Sequence, residues 1–314
     1  MARVSPHSRN PVLFWKAESM RADLPVWRSM MFVPVTVAKF VATAADRGAD
    51  AIILDLEDAV APSEKPRART LLAEAIPQVA RRGADVLVRI NRPWRMMLAD
   101  LEAAVIPGVA ALMLTKVDSA EQVEAVAEIV AELEQERGLA AGALRFVVLV
   151  ETARGFFRLE QIARAHPRIV GISLGAEDFA LSVGMLPEPE GLFYPKQQTV
   201  FAARAAGILP LGFVGTVADY KDQEAFRAIV RRSRRLGFLG ASAIHPLQIP
   251  VLNEEFGPDP AEVARAERML AAYEESLAQG IGAVAFEGAM IDIPVVERAR
   301  QLVARARAIA AKRG

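Results

Sequence analysis

The fold is decided by one stretch, Arg145-Phe-Val-Val-Leu-Val-Glu151-Thr-Ala-Arg154-Gly155, whose pattern returns at Val170-Gly-Ile-Ser-Leu-Gly175-Ala-Glu177-Asp178-Phe179. Each stretch is a short apolar run that ends in acidic residues and continues as a predicted helix. Apolar residues on both faces are typical of an interior strand in a parallel sheet. Packing alone does not require a carboxylate at the end of such a strand, so Glu151 and Asp178 are candidate functional residues.

These two acids have two interpretations. Two strand ends that lie side by side would offer two hard oxygen ligands, which suits Mg²⁺, an ion that is usually bound through one or two carboxylates plus water and substrate. The other interpretation is that Glu151 and Asp178 are acids at helix N-termini, which are common after a strand. Neither acid alone decides between these interpretations, so the rest of the chain must be considered.

Eight apolar stretches alternate with predicted helices along the chain, and they begin near residues 28, 51, 85, 109, 145, 170, 207 and 238. Strict alternation of this kind predicts an α/β protein with a parallel sheet, and eight is the number of strands that closes a (β/α)8 TIM barrel. An open doubly wound sheet is the alternative. The G-x-G-x-x-G turn that such a sheet often carries after its first strand is absent here.

The predicted barrel covers residues 28–256, between an irregular N-terminal extension at 1–27 and a helical part at 257–314. Phe14, Trp15 and Trp27 are expected to pack the extension onto the barrel or onto a neighbouring subunit. Two helices, at about 259–279 and 294–311, flank a glycine-rich loop. A loop of this type outside a barrel predicts a lid or an arm that reaches a neighbouring subunit.

Ionisable residues stand at the carboxyl ends of six of the eight predicted strands, which is where barrel enzymes carry their chemistry. These residues are Glu57, Asp58, Arg89, Lys116, Glu151, Asp178 and His245. A barrel that was only packed for stability would not need them. His245 is followed by proline, and we interpret it as a structural hydrogen-bonding residue at the mouth and not as a catalytic base.

Composition excludes several classes of protein. The 314 residues carry 38 basic and 38 acidic side chains, so charge gives no reason to expect a nucleic acid or a membrane surface as partner. There is no cysteine, which excludes disulfides, thiolate metal sites and a cysteine nucleophile, and which fits a cytoplasmic protein. No apolar run approaches the roughly 20 residues that a membrane-spanning helix needs.

Seven motifs in order resemble the citrate lyase beta-subunit and malyl-CoA lyase family, within the wider aldolase and citrate lyase group. The resemblance covers nearly the whole chain from Arg28. It rests on Arg28-Ser-Met-Met-Phe-Val-Pro34, Asp55-Leu-Glu-Asp-Ala-Val60, Val88-Arg-Ile-Asn91, Glu151-Thr-Ala-Arg-Gly155, Leu174-Gly-Ala-Glu-Asp-Phe-Ala180, Ala243-Ile-His-Pro246 and Met290-Ile-Asp-Ile-Pro294. It implies a (β/α)8 barrel with a C-terminal extension, assembled as a homotrimer or a dimer of trimers.

The resemblance also implies roles for individual residues. Glu151 and Asp178 match the family's Mg²⁺ ligands, and Arg89 matches an arginine that faces the substrate's oxygen atoms. Asp292 matches an acid–base carboxylate that the C-terminal segment delivers to a neighbouring subunit, although from its own sequence it reads as a helix N-cap before Pro294. Glu57 is expected to lie next to these residues and to position them without binding the metal itself.

Two lysines are candidates for contacts with coenzyme A. Lys39 matches a lysine that the family keeps after its first strand, and Lys116 ends the fourth strand. The simpler interpretation of both is that they are solvated surface lysines. Coenzyme A enters here as part of the substrate. Val35 replaces the glycine that usually follows the first strand's Val-Pro, so the contacts with coenzyme A are expected to differ from those of the family.

The reaction that the resemblance implies is a Mg²⁺-dependent, reversible Claisen cleavage of a 3-hydroxyacyl-CoA thioester. The products are an acyl-CoA and a 2-oxo acid, and malyl-, citramalyl- and citryl-CoA are all open as substrates. Two alternatives remain: a metal-dependent aldolase that acts on free 2-oxo acids without CoA, and a non-catalytic subunit of a lyase complex. The altered residue at position 35 favours the first, and the paired acids argue against the second.

Overall fold

The computed structural model describes residues 20–216, 221–279 and 284–313. Its centre is a sheet of eight parallel strands in the order β7-β6-β5-β4-β3-β2-β1-β8. The strands are β1 (Ser29–Pro34), β2 (Ala51–Asp55), β3 (Asp85–Ile90), β4 (Ala111–Leu114), β5 (Arg145–Val150), β6 (Ile169–Leu174), β7 (Leu209–Leu211) and β8 (Ala241–Ala243). Leu211 bridges to Gly240, just before β8, and so joins the two edges of the sheet. The prediction of a (β/α)8 barrel is confirmed, and the alternative of an open sheet is wrong.

Helices cover the outside of the strands. They are α1 (Ala38–Ala44), α2 (Lys65–Ala80), α3 (Trp94–Ala104), α4 (Ala120–Glu136), α5 (Ala153–Phe156), α6 (Leu159–Arg164), α7 (Ala176–Val183), α8 (Pro189–Ala205), α9 (Gln223–Arg235) and α10 (Gln248–Glu255). Ser119 caps α4 by accepting the N–H of Gln122, and Thr152 caps α5 by accepting the N–H of Gly155. Such caps satisfy backbone donors that have no partner in the first turn.

Two apolar layers hold the barrel together. Alternate strand residues face outward and pack against the helices, as Ile52 and Leu54 do. The residues between them face inward and fill the barrel, as Ala51 and Ile53 do. Because side chains two apart in a strand share a face, Asp55 continues the inward row of β2. The uppermost layer of the barrel interior is therefore polar, and it forms the floor of the mouth.

Trp27 anchors the described part of the N-terminal extension. Its indole is buried in the apolar cluster inside the barrel, and its Nε1 donates to Asp85 Oδ2 over 2.6 Å. The packing expected of Trp27 is therefore present. Phe14 and Trp15 lie outside the described residues.

The C-terminal part comprises α11 (Pro260–Ala278), a two-stranded antiparallel hairpin of β9 (Val284–Phe286) and β10 (Ala289–Ile291), and α12 (Ile293–Arg313). α11 and α12 share an apolar cluster of their own. Along α12, Arg305 donates to the carbonyl oxygen of Leu239 and Lys312 pairs with Asp85. Both partners lie at the amino ends of strands, so α12 crosses the face of the barrel opposite the mouth.

Within residues 20–216, 221–279 and 284–313, every helix is too short or too polar to cross a membrane.

Candidate active site

A cavity of about 330 Å³ opens at the carboxyl ends of the strands. Its walls combine carboxylates, cations and apolar side chains, as is usual for a site that orients a small molecule. The charged and polar residues on its wall are Asp55, Asp58, Arg89, Glu151, Ser173, Glu177, Asp178, Lys196, Thr216 and Ser242. The structure therefore brings Arg89, Glu151 and Asp178 to one cavity.

Arg89 is held on its wall by Asp55, its neighbour across the β2–β3 register. Nε and Nη2 of Arg89 donate to the two Asp55 oxygens over 2.7 and 2.5 Å. The guanidinium also lies 4.5 Å from the centre of the Phe32 ring. Burial alone would lower the pKa of Arg89, but the bonds to the fully buried Asp55 keep it above its usual range, so the cation is fixed in position and in charge.

Glu57 lies behind the cavity wall and joins two cations. Its Oε2 is 3.1 Å from Nη1 of Arg89, and its Oε1 accepts from Nζ of Lys116 over 2.6 Å. Burial raises the pKa of Glu57, while Arg89 and Lys116 oppose that rise. Glu57 borders no part of the cavity in the described chain, so its geometry suits a positioning role.

Lys116 connects the two candidate metal ligands. Its backbone N–H donates to Glu151 Oε2 over 2.7 Å, while its Nζ lies 3.2 Å from Asp178 Oδ2. Its backbone φ is +49°, which is uncommon for a residue other than glycine and which costs energy. Burial lowers the pKa of Lys116, but the contact with Glu57 outweighs it and the pKa is raised. The ammonium is thus matched by carboxylates, and its predicted contact with coenzyme A stays a prediction.

Glu151 directly follows β5 and is almost wholly buried at the base of the cavity. Burial raises the pKa of its carboxyl to about 7, against the opposing hydrogen bond from the Lys116 N–H. Gly175 lies so close that a Cβ at that position would be 2.5 Å from Glu151 Oε1. The absence of a side chain at residue 175 therefore makes room for this carboxylate.

Asp178 is not at a strand end as the sequence had suggested. β6 ends at Leu174, Gly175 is the N-cap residue of α7, and Asp178 lies in the first turn of that helix. Asp178 is thus an acid at a helix N-terminus, where the helix dipole favours a carboxylate. It also borders the cavity, so its place in the helix does not prevent it from facing a ligand.

Three further candidates lie elsewhere. Lys39 is exposed on α1 and is not on the cavity wall, so its contact with coenzyme A stays a prediction. His245 Nδ1 accepts the N–H of Leu247 over 3.2 Å, which fits a structural role. Asp292 is exposed at the start of α12, where its Oδ1 accepts the N–H of Val295 over 3.4 Å. The N-cap interpretation of Asp292 therefore describes its state in a single chain.

Sequence reasoning assigned no role to three residues that shape the site. The sequence shows Asp55 as an acidic residue, but its pairing with Arg89 depends on the register of β2 against β3, which the sequence pattern does not contain. Lys65 Nζ donates to the carbonyl oxygens of Leu56 and Glu57, both over 2.9 Å, and so holds the loop after β2. Lys196 on α8 lines the cavity, and no pattern in its helix marked it.

A larger cavity of about 1480 Å³ lies on the opposite face, between the barrel and α12. Its charged residues largely neutralise one another: Arg231 pairs with Glu255 over 2.9 Å, and Arg234 pairs with Glu262. Among the described residues, its lining includes Arg28 and Gly48, which precede β1 and β2, and includes no carboxyl end of a strand. Size alone therefore does not make it the active site, and we assign the chemistry to the smaller cavity.

Fold and site together define a class: a (β/α)8 barrel whose ionisable side chains gather at the carboxyl ends of its strands, as in barrel enzymes. The chain belongs to the HpcH/HpaI aldolase/citrate lyase family, whose model matches residues 28–246. It is a carbon–carbon lyase by class, as the resemblance predicted.

Two curated relatives show how far the similarity extends. Citrate lyase subunit beta from Leuconostoc mesenteroides subsp. cremoris is 35% identical over 284 residues, covering 90% of this chain and 93% of that protein. L-malyl-CoA/beta-methylmalyl-CoA lyase from Cereibacter sphaeroides is 35% identical over 307 residues, covering 90% and 96%. The similarity therefore includes the C-terminal part as well as the barrel.

Among solved structures, CitE from Mycobacterium tuberculosis in complex with magnesium, acetoacetate and coenzyme A superposes with a TM-score of 0.70. It is 33% identical, and the match covers 91% of this chain and 99% of that one. That relative holds a metal ion, a small oxo acid and coenzyme A together.

Proposed function

We propose that this protein cleaves a 3-hydroxyacyl-CoA thioester to an acyl-CoA and a 2-oxo acid, with Mg²⁺ held by Glu151 and Asp178. The observation that carries the proposal is the meeting of these two carboxylates and the Arg89 guanidinium on one small cavity. Membership of the aldolase/citrate lyase family supports it, as do the relatives named for malyl-CoA cleavage and the relative crystallised with magnesium and coenzyme A.

The residues present fit magnesium. Carboxylate oxygens are the hard ligands that Mg²⁺ prefers, and Gly175 leaves room beside Glu151 Oε1. In the described part of the chain no group of three or more His, Cys, Asp or Glu side chains is placed to hold a metal. Two protein ligands would therefore leave positions for water and substrate. When bound, the ion supplies a Lewis acid that polarises the oxo acid's oxygens and a template that orients them.

The chain's own groups then divide the remaining work. A base removes the proton of the 3-hydroxyl, whose oxygen becomes the carbonyl of the 2-oxo acid. The carbon–carbon bond breaks, and its electron pair moves to the thioester as an enolate. Arg89 is the group that stabilises negative charge on oxygen, because its guanidinium is held rigidly by Asp55. Protonation of the enolate carbon gives the acyl-CoA.

We propose Asp292 of a second copy as the base. In its own chain, Asp292 immediately precedes α12, and Arg305 of that helix contacts the face opposite the mouth. Asp292 lies thirteen positions before Arg305 in the sequence, so Asp292 is roughly 20 Å from that contact along the helix axis. Met290 and Ile293 beside it are 78% and 52% exposed, which leaves apolar surface for docking. On this basis residues 257–314 form the arm, and a homotrimer or a dimer of trimers would bring it to a neighbour's mouth.

The rim of the mouth offers matching surface. Phe157, Leu181 and Leu186 are 85%, 80% and 71% exposed, and they lie on or beside the helices that follow Glu151 and carry Asp178. A neighbouring arm that covered them would bury apolar surface and exclude water from the proton transfer.

The test is a screen of malyl-, citramalyl- and citryl-CoA with and without Mg²⁺, read by the mass of the products. We expect magnesium-dependent release of an acyl-CoA and a 2-oxo acid. Asp178→Asn should lower the rate by orders of magnitude. Glu190→Gln is its matched control, because Glu190 also lies in the first turn of a helix but borders no part of the cavity.

The same screen separates the alternatives. Cleavage of free hydroxy acids with no response to CoA thioesters would identify a CoA-independent aldolase. No turnover of any thioester by protein that binds Mg²⁺ would contradict the proposal and favour a non-catalytic subunit.

A further inference from the structure

Lys196 is a buried cation that the proposed reaction leaves without a role. It lies on α8, is 5% exposed, and still contributes to the cavity wall. Its Nζ donates to the carbonyl oxygen of Leu174, at the end of β6, over 2.7 Å. Burial lowers the pKa of Lys196 to about 8, and among residues 20–216, 221–279 and 284–313 no carboxylate offsets that burial.

An ammonium group has three N–H donors, and Lys196 uses one of them within the described part of the chain. A buried charge without an ionic partner is costly, and buried charges are normally paired. Lys65 offers a comparison inside the same barrel. Its Nζ donates to two carbonyl oxygens, and Asp100, Asp55 and Glu57 act on its charge. Among the described residues, Lys196 has neither a second carbonyl partner nor nearby carboxylates, yet it borders the cavity.

Ser173 and Gly212 complete this wall. A Cβ at Gly212 would lie 3.5 Å from Lys196 Nζ and 3.4 Å from Ser173 Oγ, so both polar atoms approach one point beside the Gly212 backbone. The φ of Gly212 is +125°, which other residues rarely adopt. Glycine at residue 212 therefore allows the backbone conformation found there and leaves open the space beside Lys196 Nζ and Ser173 Oγ.

This wall lies across the mouth from Arg89. Gly212 follows β7 and Arg89 is on β3, and the strand order places four strand-to-strand steps between β3 and β7 around an eight-stranded ring. Glu151 and Asp178 lie between Arg89 and Gly212 around the mouth, because they follow β5 and β6. A ligand held at the carboxylates thus has the Arg89 guanidinium on one side and the Lys196 ammonium on the other, while Lys116 lies beside the carboxylates themselves.

We infer that Lys196 and Ser173 form a subsite for a second carboxylate on the 2-oxo acid part of the substrate. The inference rests on the proposed function and makes it more specific, because it selects substrates whose 2-oxo acid product is a dicarboxylate. A carboxylate fits the donors: its two oxygens accept from the ammonium and from the hydroxyl at once. A cavity of about 330 Å³ is of the size that holds a small acid, so we assign the subsite to the oxo acid and not to the nucleotide of coenzyme A.

The test compares oxaloacetate with pyruvate, which lacks only the second carboxylate. The dissociation constant of each is measured by calorimetry in the presence of Mg²⁺, with the full-length protein and no coenzyme A. We expect the wild-type chain to prefer oxaloacetate by roughly tenfold to a hundredfold, the usual value of a hydrogen-bonded charge contact. Lys196→Met should bring the ratio to within about threefold, whereas Lys196→Arg, which keeps the charge, should retain most of it.

An unchanged ratio in Lys196→Met would overturn the inference, as would equal affinities in the wild-type protein. An equal loss for both acids would also overturn it, because that result indicates a role at the shared oxo-acid group. If Lys196→Met fails to fold, Ser173→Ala serves in its place, and its ratio should fall by roughly threefold to tenfold. Failure of the proposed function is distinct: it would appear as absence of magnesium-dependent thioester cleavage, whatever the selectivity.

Discussion

A single methyl group added at Gly175 would test whether Glu151 is a metal ligand. Gly175 has φ −72° and ψ 112°, an extended conformation that alanine adopts without strain. The substitution Gly175→Ala therefore acts through contact and not through the backbone. The new Cβ would lie 2.5 Å from Glu151 Oε1 and 2.7 Å from its Cγ.

The size of the effect follows from these distances. Ordinary contacts of this kind begin near 3.4 Å, so the Glu151 carboxylate must retreat by roughly 1 Å. That movement also disturbs the 2.7 Å bond from the Lys116 N–H to Oε2. Disturbing the support of a metal ligand costs about tenfold to a hundredfold in metal affinity, or about 1.4–2.8 kcal/mol. The free energy of unfolding should fall by about 1–3 kcal/mol, because the added methyl group crowds a buried side chain, while the N-cap change from glycine to alanine adds less than about 1 kcal/mol.

The assay is calorimetric titration of Mg²⁺ into the Gly175→Ala protein, with thermal unfolding measured alongside. Gly191→Ala is the matched control, since Gly191 lies in the exposed part of α8. Its new Cβ would meet the flexible Met185 side chain, whose Sδ is 3.2 Å away, and would make an ordinary contact with the Leu186 carbonyl oxygen at 3.9 Å. The control should keep wild-type affinity. Wild-type Mg²⁺ affinity in Gly175→Ala would refute the assignment of Glu151 as a ligand.

Three further results are expected. Asp292→Asn should lose orders of magnitude in turnover yet keep Mg²⁺ binding. Refolding Asp292→Asn together with Glu151→Gln should restore part of the activity, because one copy supplies the base and the other supplies the metal site. If no activity is restored, the base is not supplied by a second copy. Arg89→Lys should lower kcat by about a hundredfold or more, since an ammonium cannot replace the two-point contact with Asp55; steady-state kinetics at saturating Mg²⁺ would show it. The third result concerns the pH dependence of stability. The pKa of Lys196 is about 8 in the folded chain and 10.5 in the unfolded chain, so between these pH values the unfolded chain binds more protons. The free energy of unfolding therefore rises with pH, by up to about 3 kcal/mol. Denaturant unfolding from pH 7 to 11 should show this rise in the wild-type chain minus Lys196→Met, and a flat difference would contradict the burial argument.

The barrel could be predicted from sequence because its strands are buried on both faces. Runs such as Phe146–Val150 are apolar throughout, and they alternate with helices whose apolar residues recur along one face. The turn from each strand to its helix lies at the mouth, which is why Glu151 and Lys116 could be expected there without coordinates.

Other features depend on geometry that the sequence pattern does not contain. The register of β2 against β3 pairs Asp55 with Arg89, and register is set by the whole sheet. Asp178 was expected at a strand end, but Gly175 ends β6 early and begins a helix. In the sequence, Lys196 is indistinguishable from an ordinary exposed lysine on a helix. Its burial depends on which elements pack over that helix, and the helix pattern does not contain this information.

The C-terminal part shows the same limit. The two helices were predicted within a few residues of α11 and α12, and the described end of the glycine-rich loop forms the β9–β10 hairpin. The remainder of that loop, at 280–283, lies outside the described residues. The direction in which α12 runs could not be predicted, since its contacts with Leu239 and Asp85 join segments far apart in sequence.

The account depends most on one divalent ion lying between Glu151 and Asp178. Crystals grown with Mn²⁺, examined by anomalous diffraction, would locate such an ion directly. We expect one strong peak within roughly 2.0–2.3 Å of both carboxylates, with the Lys116 ammonium displaced from Asp178 and water in the remaining positions. A cavity without a peak, in which Lys116 still bridges Glu57 and Asp178, would contradict the account.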